Sequence, residues 1–282
     1  MKESVSVSRK DGLRLVNSEA PGNDIVAPDR TNLAIEIKGA SLHYPMGSYA
    51  RGSLKSALLG LVGHRDRSPK PTFVDALRDL DLRISFGERV GLIGHNGSGK
   101  STLLRALAGI YPLAKGDITV VGRIGTLLDI SLGFESEATG RENIYYRGMT
   151  MGYSHKQMRK AEAEIVRFAD LGEFIDLPMR MYSAGMCVRL GFAISTQFQP
   201  DILLVDEVFG AGDAAFARQA LDRMLHMVAN AGIFVIATHD VALVERVCQR
   251  AIWMHGGKVE RDGPAAAVVA EYQRHMLGDG GA

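Results

Sequence analysis

Hydrophobic positions change period several times along the chain, and each change predicts an element. "LAIEIKGASLHY" alternates Ile35 and Ile37 with Glu36 and Lys38, the pattern of a half-buried strand. "LDLRISFGE" continues the alternation through Leu80, Leu82, Ile84 and Phe86. "RVGLIG", "ILLVDE" and "IFVIATHD" are apolar without alternation, as strands buried on both faces are, and a further strand is predicted over 251–254. "GDITVVGRIGTLL" reads as a hairpin. Residues 140–180 read as helical, with Ser154 and Gln157 forming a capping box before "MRKAEAEIVRFADL". Helices are also predicted after Lys100, from the "YSAGM" stretch, over 214–230 and 240–248, and from Pro264 to about Leu277. Strands alternating with helices after a glycine-rich loop predict an α/β fold with a largely parallel sheet.

Two segments lack this order. Residues 1–31 mix Ser, Asp, Asn, Gly and Pro without period and are expected to form a disordered N-terminal tail. Residues 46–72 form a long connection in which Leu54, Ala57, Leu58 and Leu61 recur at helical spacing beside Arg51 and Lys55. That pattern suits a short helix packed on the core or one lying against a membrane or partner.

Composition narrows the function classes. The 282 residues are 46% hydrophobic, enough for a packed core, and 33 basic residues balance 32 acidic ones to a formal charge of +1. Nothing in that balance favours a nucleic-acid binder. No apolar run approaches the ~18 residues of a membrane span, and the N-terminus lacks a signal peptide's apolar region. Two cysteines, Cys187 and Cys248, are too few for a disulfide scaffold, so a cytosolic protein is expected.

The chemistry is concentrated in four stretches. "GHNGSGKS" comprises Gly94, His95, Asn96, Gly97, Ser98, Gly99, Lys100 and Ser101, followed by Thr102, and fits G-x-x-x-x-G-K-[ST] between a buried strand and a helix. Its glycines let backbone N–H groups turn toward the phosphates of a nucleoside triphosphate. Lys100 adds a charge for the β/γ oxygens, and the Ser101 hydroxyl can ligate Mg²⁺. "ILLVDE" ends in two carboxylates that a strand points in opposite directions, so Asp206 can face metal while Glu207 orients or activates water. "IFVIATHD" delivers His239 to a strand tip, suited to hydrogen-bond a γ-phosphate or the attacking water. "YSAGMCVRL" places Ser183, Ala184 and Gly185 at a helix start, a second anion site.

Phosphate loop, "YSAGM", "ILLVDE", "GAGD" and "ATHD", in this order and spacing, resemble the ATP-binding subunit of an ATP-binding cassette (ABC) transporter. The resemblance implies a P-loop NTPase of ABC type: a mixed central sheet with helices, an antiparallel β subdomain and a helical signature subdomain near 135–195. The ATPase domain would span 32–260, followed by a C-terminal helix and tail over 261–282. It implies a head-to-tail dimer in which Ser183 and Gly185 of one copy cap the γ-phosphate held by the other, with Ala184 standing where the family has its first signature glycine. Asp213 would match the loop that links the two sites, and Tyr44 the residue that stacks on adenine. The family's glutamine after the phosphate-loop helix is missing from "GTLLDISLGFESEATGRENI", where Asp129, with Glu135 behind it, is the candidate metal-side substitute. That departure, with "DAAFARQALDRM", resembles the exporters of lipid-linked polysaccharide of the O-antigen, capsule, galactan and teichoic-acid type. The cofactors implied are ATP and Mg²⁺. The partners implied are a second copy and a polytopic membrane channel, with lipid-linked glycan met indirectly and no nucleic acid. The expected place is the cytoplasmic face of the inner membrane. An importer or small-molecule exporter, or a soluble cassette acting on ribosome or DNA, are the other readings of the same motifs.

Overall fold

A computed structural model describes residues 6–10, 12–17, 34–46, 72–130, 133–206 and 214–278. Its strands form two sheets. The first contains β1 (Ser6–Lys10), β2 (Leu13–Asn17), β3 (Ala34–Met46), β4 (Thr72–Ser85) and β6 (Lys115–Val121), in the order β1-β2-β6-β3-β4. The second runs β11-β10-β5-β9-β8-β7, with β5 at Arg89–Ile93, β7 at Ile124–Leu127, β8 at Ile202–Asp206, β9 at Ile233–Ala237, β10 at Arg250–His255 and β11 at Lys258–Pro264. From β10 to β7 this sheet is parallel, and β11 closes one edge antiparallel.

Burial on both faces explains the unbroken apolar runs. Leu92, Leu204 and Val235 point into one core, beneath helix α1 (Lys100–Leu107) and the first sheet. Ile93, Leu203, Val205, Phe234 and Ile236 point into a second core, closed by α5 (Ala214–Asn230), α6 (Val241–Val247) and α7 (Ala265–Gly278). A third core belongs to α2 (Gly140–Thr150), α3 (His155–Ala169) and α4 (Ala184–Ser195), around Ile144, Ile165, Leu190 and Ile194. Capping boxes start α2 at Thr139–Glu142 and α3 at Ser154–Gln157. Two short 3₁₀ turns, Gly172–Asp176 and Met179–Met181, carry the chain from α3 to α4. No helix among the described residues is long and apolar enough to cross a membrane.

Several expectations require correction. Residues 1–31 are not wholly a disordered tail: β1 and β2 pair antiparallel, and β2 adds parallel to β6 with Leu13 opposite Ile118. The signal was Asp11-Gly12, a dipeptide that favours two-residue hairpin turns, and Lys10 indeed pairs with Leu13 across it. Residues 1–5, 11 and 18–33 lie outside the described residues. "GDITVVGRIGTLL" is not a hairpin, because β6 pairs with β3 while β7 leaves for the other sheet and pairs with β8. Leu80, Leu82 and Ile84 are buried, but Phe86 lies beyond the end of β4 and is exposed. The sheet also runs past residue 260, since β11 continues to Pro264 before α7 begins. The candidate helix around Leu54–Leu61 lies outside the described residues.

One glycine fastens the helical layer to the sheet. A Cβ on Gly191 would stand 2.0 Å from the Ile130 carbonyl oxygen, so α4 packs with its backbone against the segment leaving β7. Gly191→Ala should therefore destabilise the protein by about 1–3 kcal/mol, read from urea denaturation at constant slope. An unchanged midpoint would show that this contact yields without cost.

Candidate functional site

Register brings the chemistry together. Leu92 of β5 lies opposite Ala237 of β9, and Ala237 lies opposite Asp206 at the end of β8. The strand ends therefore reach one rim side by side: β5 enters the phosphate loop, β8 presents Asp206, and β9 leads through Thr238 to His239. Thr238 N donates to Leu92 O at 3.3 Å, extending the ladder one step beyond β9. His239 is exposed just before Asp240, whose side chain caps α6.

The phosphate loop is shaped by glycines that other residues could not replace. Gly94 and Gly99 have φ of 144° and 107°, and a Cβ at either would stand 2.2 Å from Met254 O or 2.7 Å from Ala76 O. Gly97, by contrast, faces open space, on the side where His95 and Asn96 are also exposed. Lys100 is drawn under the loop, its ammonium donating to Gly94 O at 2.7 Å and His95 O at 3.0 Å. The Ser98 hydroxyl is fully buried without a hydrogen-bond partner among the described residues.

Next along α1, the Ser101 hydroxyl donates to Asp206 Oδ1 at 2.9 Å. A hydroxyl and a carboxylate at that separation form a hard-oxygen pair of the kind Mg²⁺ takes in phosphate sites. Thr102 Oγ1 lies 3.3 Å from the Tyr44 hydroxyl, and the Tyr44 ring packs edge-on against Tyr111 at 5.5 Å. Tyr44 is thus brought to the phosphate-loop helix from the other sheet. Glu207 and Asp213 lie outside the described residues.

In the helical layer, Ser183 is the N-cap of α4 and its Oγ accepts from Met186 N at 3.3 Å. Ser183 and Ala184 are exposed. A Cβ on Gly185 would meet only Ser183 Oγ, at 3.8 Å, among the described residues.

Residues 77–210 match the family model described as ABC transporter. RfbE of Yersinia enterocolitica, an O-antigen export system ATP-binding protein, is 40% identical over 228 residues, covering 79% of this chain and 95% of that protein. The chain belongs to the ABC transporter family. A protein of the same description from Myxococcus xanthus, RfbB, is 42% identical over 221 residues, 78% of this chain; the chain spans about half of that relative, 51%. TagH of Listeria monocytogenes, a teichoic acids export ATP-binding protein, is 35% identical over 245 residues, 87% of this chain and 71% of its own length. Among solved structures, a dimeric ATP-binding cassette in a post-hydrolysis state with ADP and Pi superposes at a TM-score of 0.61, with 20% identity over 82% of this chain and 98% of that one. That likeness establishes the fold, the P-loop α/β fold of an ATP-binding cassette.

One feature of this ABC domain escaped the sequence reading. Asp129, the candidate in place of the family's glutamine, meets the guanidinium of Arg105, with Nη2 at 2.9 Å from Oδ2 and 3.2 Å from Oδ1. The same Nη2 lies 3.9 Å from Asp206 Oδ2. Arg105 follows Ser101 by one helical turn, and that spacing was the available signal. The Glu135 backbone N–H donates to Asn143 Oδ1, and its carboxylate accepts from Glu137 N at 3.2 Å. Burial pushes the Cys248 thiol up to about 12 and moves Cys187, beside the signature turn, in the same direction. Cys248 stays protonated near pH 8 and should react with an aromatic disulfide reagent at least about tenfold more slowly than free cysteine until urea unfolds the chain, and Cys187 should also react more slowly than free cysteine. Fast labelling of Cys187 in the folded protein would contradict this.

Proposed function

We propose that this chain is the ATP-hydrolysing subunit of a membrane exporter of lipid-linked polysaccharide, working as a head-to-tail dimer at the cytoplasmic face of the membrane. The observation that carries the ATPase reading is the Ser101–Asp206 pair directly beyond the phosphate loop. Ser101 and Asp206 would hold Mg²⁺ directly or through water, and the ion would supply positive charge to the triphosphate. Lys100 moves from loop carbonyls to the β/γ oxygens, Glu207 orients or activates water, and His239 bonds the γ-phosphate. Tyr44 takes the adenine ring, and Asp213 is assigned, by its match to the family's motif, to coupling the two sites.

Gly185 supports a pocket shared between copies. Glycine in a helix costs about 0.5–1 kcal/mol relative to alanine. At Gly191 this chain's own packing accounts for the glycine; at Gly185 the described residues leave space for a Cβ. Nothing among the described residues demands smallness there, which suits close approach of the partner's triphosphate. Export of glycan rests on the relatives named for O-antigen and teichoic acids. The membrane channel is a separate polytopic subunit.

Glu207→Gln should bind ATP, hydrolyse it at least ~100-fold more slowly and accumulate a closed dimer by size exclusion. Multiple turnovers at the unaltered rate would remove Glu207 from the role. A mixture of Ser183→Arg and Lys100→Ala copies should regain turnover that each variant lacks alone, because one composite pocket remains intact. Mixed dimers without turnover would end the shared-pocket reading.

A further inference from the structure

Both oxygens of Asp206 face α1, and they face different chemistry. Oδ1 accepts from the Ser101 hydroxyl at 2.9 Å, whereas Oδ2 lies 3.9 Å from the Arg105 guanidinium. A cation therefore stands beside the carboxylate assigned to a divalent metal. The shorter contacts of Arg105 go to Asp129, which accepts from Nε at 3.3 Å and from Nη2 at 2.9 Å and 3.2 Å. The Asp129 backbone is itself fixed in the left-handed region, φ 48°, a conformation uncommon outside glycine. It immediately precedes Ile130, whose carbonyl packs on Gly191 of α4. The counter-charge is thus mounted on the joint between sheet and helical layer.

We propose that Arg105 is a positioning residue that sets how tightly Asp206 takes a divalent cation, and that Asp129 acts by holding Arg105 off Asp206. This rests on the assignment of Ser101 and Asp206 to the metal. With Asp129 present, the guanidinium's short contacts go to that carboxylate and Asp206 keeps its charge for the ion. Without it, Arg105 closes onto Asp206 as a bidentate pair and competes with the ion for the same oxygens. Asp129 then works at a distance from the metal, which sets this arrangement apart from a directly ligating substitute for the missing glutamine.

The test is Mn²⁺ titration of the full chain with ADP, followed by electron paramagnetic resonance. Asp129→Asn should weaken Mn²⁺ binding by about 10- to 100-fold, the range for partners that orient a ligand. Arg105→Gln added to Asp129→Asn should restore it to nearly the original value, with Arg105→Ala as the second variant should the glutamine disturb α1. A double variant as weak as Asp129→Asn alone would overturn the proposal and make Asp129 a ligand. Unchanged affinity in Asp129→Asn would overturn it as well. Asp206→Asn separates the two layers of argument: it should abolish Mn²⁺ binding, and if it binds as the unaltered chain does, the metal assignment fails and this inference with it. Thermal melts of each variant confirm folding.

Discussion

Val90, Gly91 and Leu92 of β5 lie opposite Val235, Ile236 and Ala237 of β9, and β9 is paired in turn with β8 up to Asp206. This parallel registration fixes where every reacting group can stand. Each strand is buried on both faces, so a slip by one residue would exchange the two cores and move Leu203, Val205, Phe234 and Ile236 to the side that faces the other sheet. The slip would also displace Asp206 from Ser101. Core packing and site geometry are therefore held by the same ladder, and neither can drift without the other.

The parts of the site that were legible in the sequence are those set by local chain geometry. A phosphate loop needs glycines and lysine at fixed spacing between strand and helix, and Gly94, Gly99 and Lys100 take up the loop geometry the motif calls for. Asp206 and His239 were legible because each ends or follows a continuous apolar run that had to be a strand. Ser183 was legible as a helix cap from its small neighbours.

What could not be read is what arises between distant segments. The partition of "GDITVVGRIGTLL" into two sheets depends on partners that its own periodicity does not name. The strands at 6–10 and 13–17 are stabilised by β6, more than a hundred residues away at Lys115–Val121, and composition alone made them resemble a tail. No motif in the sequence singles out Arg105. Its meaning appears only when Asp129 and Asp206 arrive on either side from β7 and β8. The site is thus partly a property of sequence spacing and partly a property of tertiary charge placement.

The position of β3 between two neighbours bears on how this protein can be handled. It is bonded along one side to β4 and along the other to β6. Cutting the chain back to residue 77, where the family match begins, would excise β1 to β3 and the start of β4 together. The remaining β4 and β6 would each show a row of unmet backbone donors and acceptors, an invitation to sticky edge-to-edge growth. A fragment chosen by homology would therefore be less soluble than the longer one it was meant to simplify.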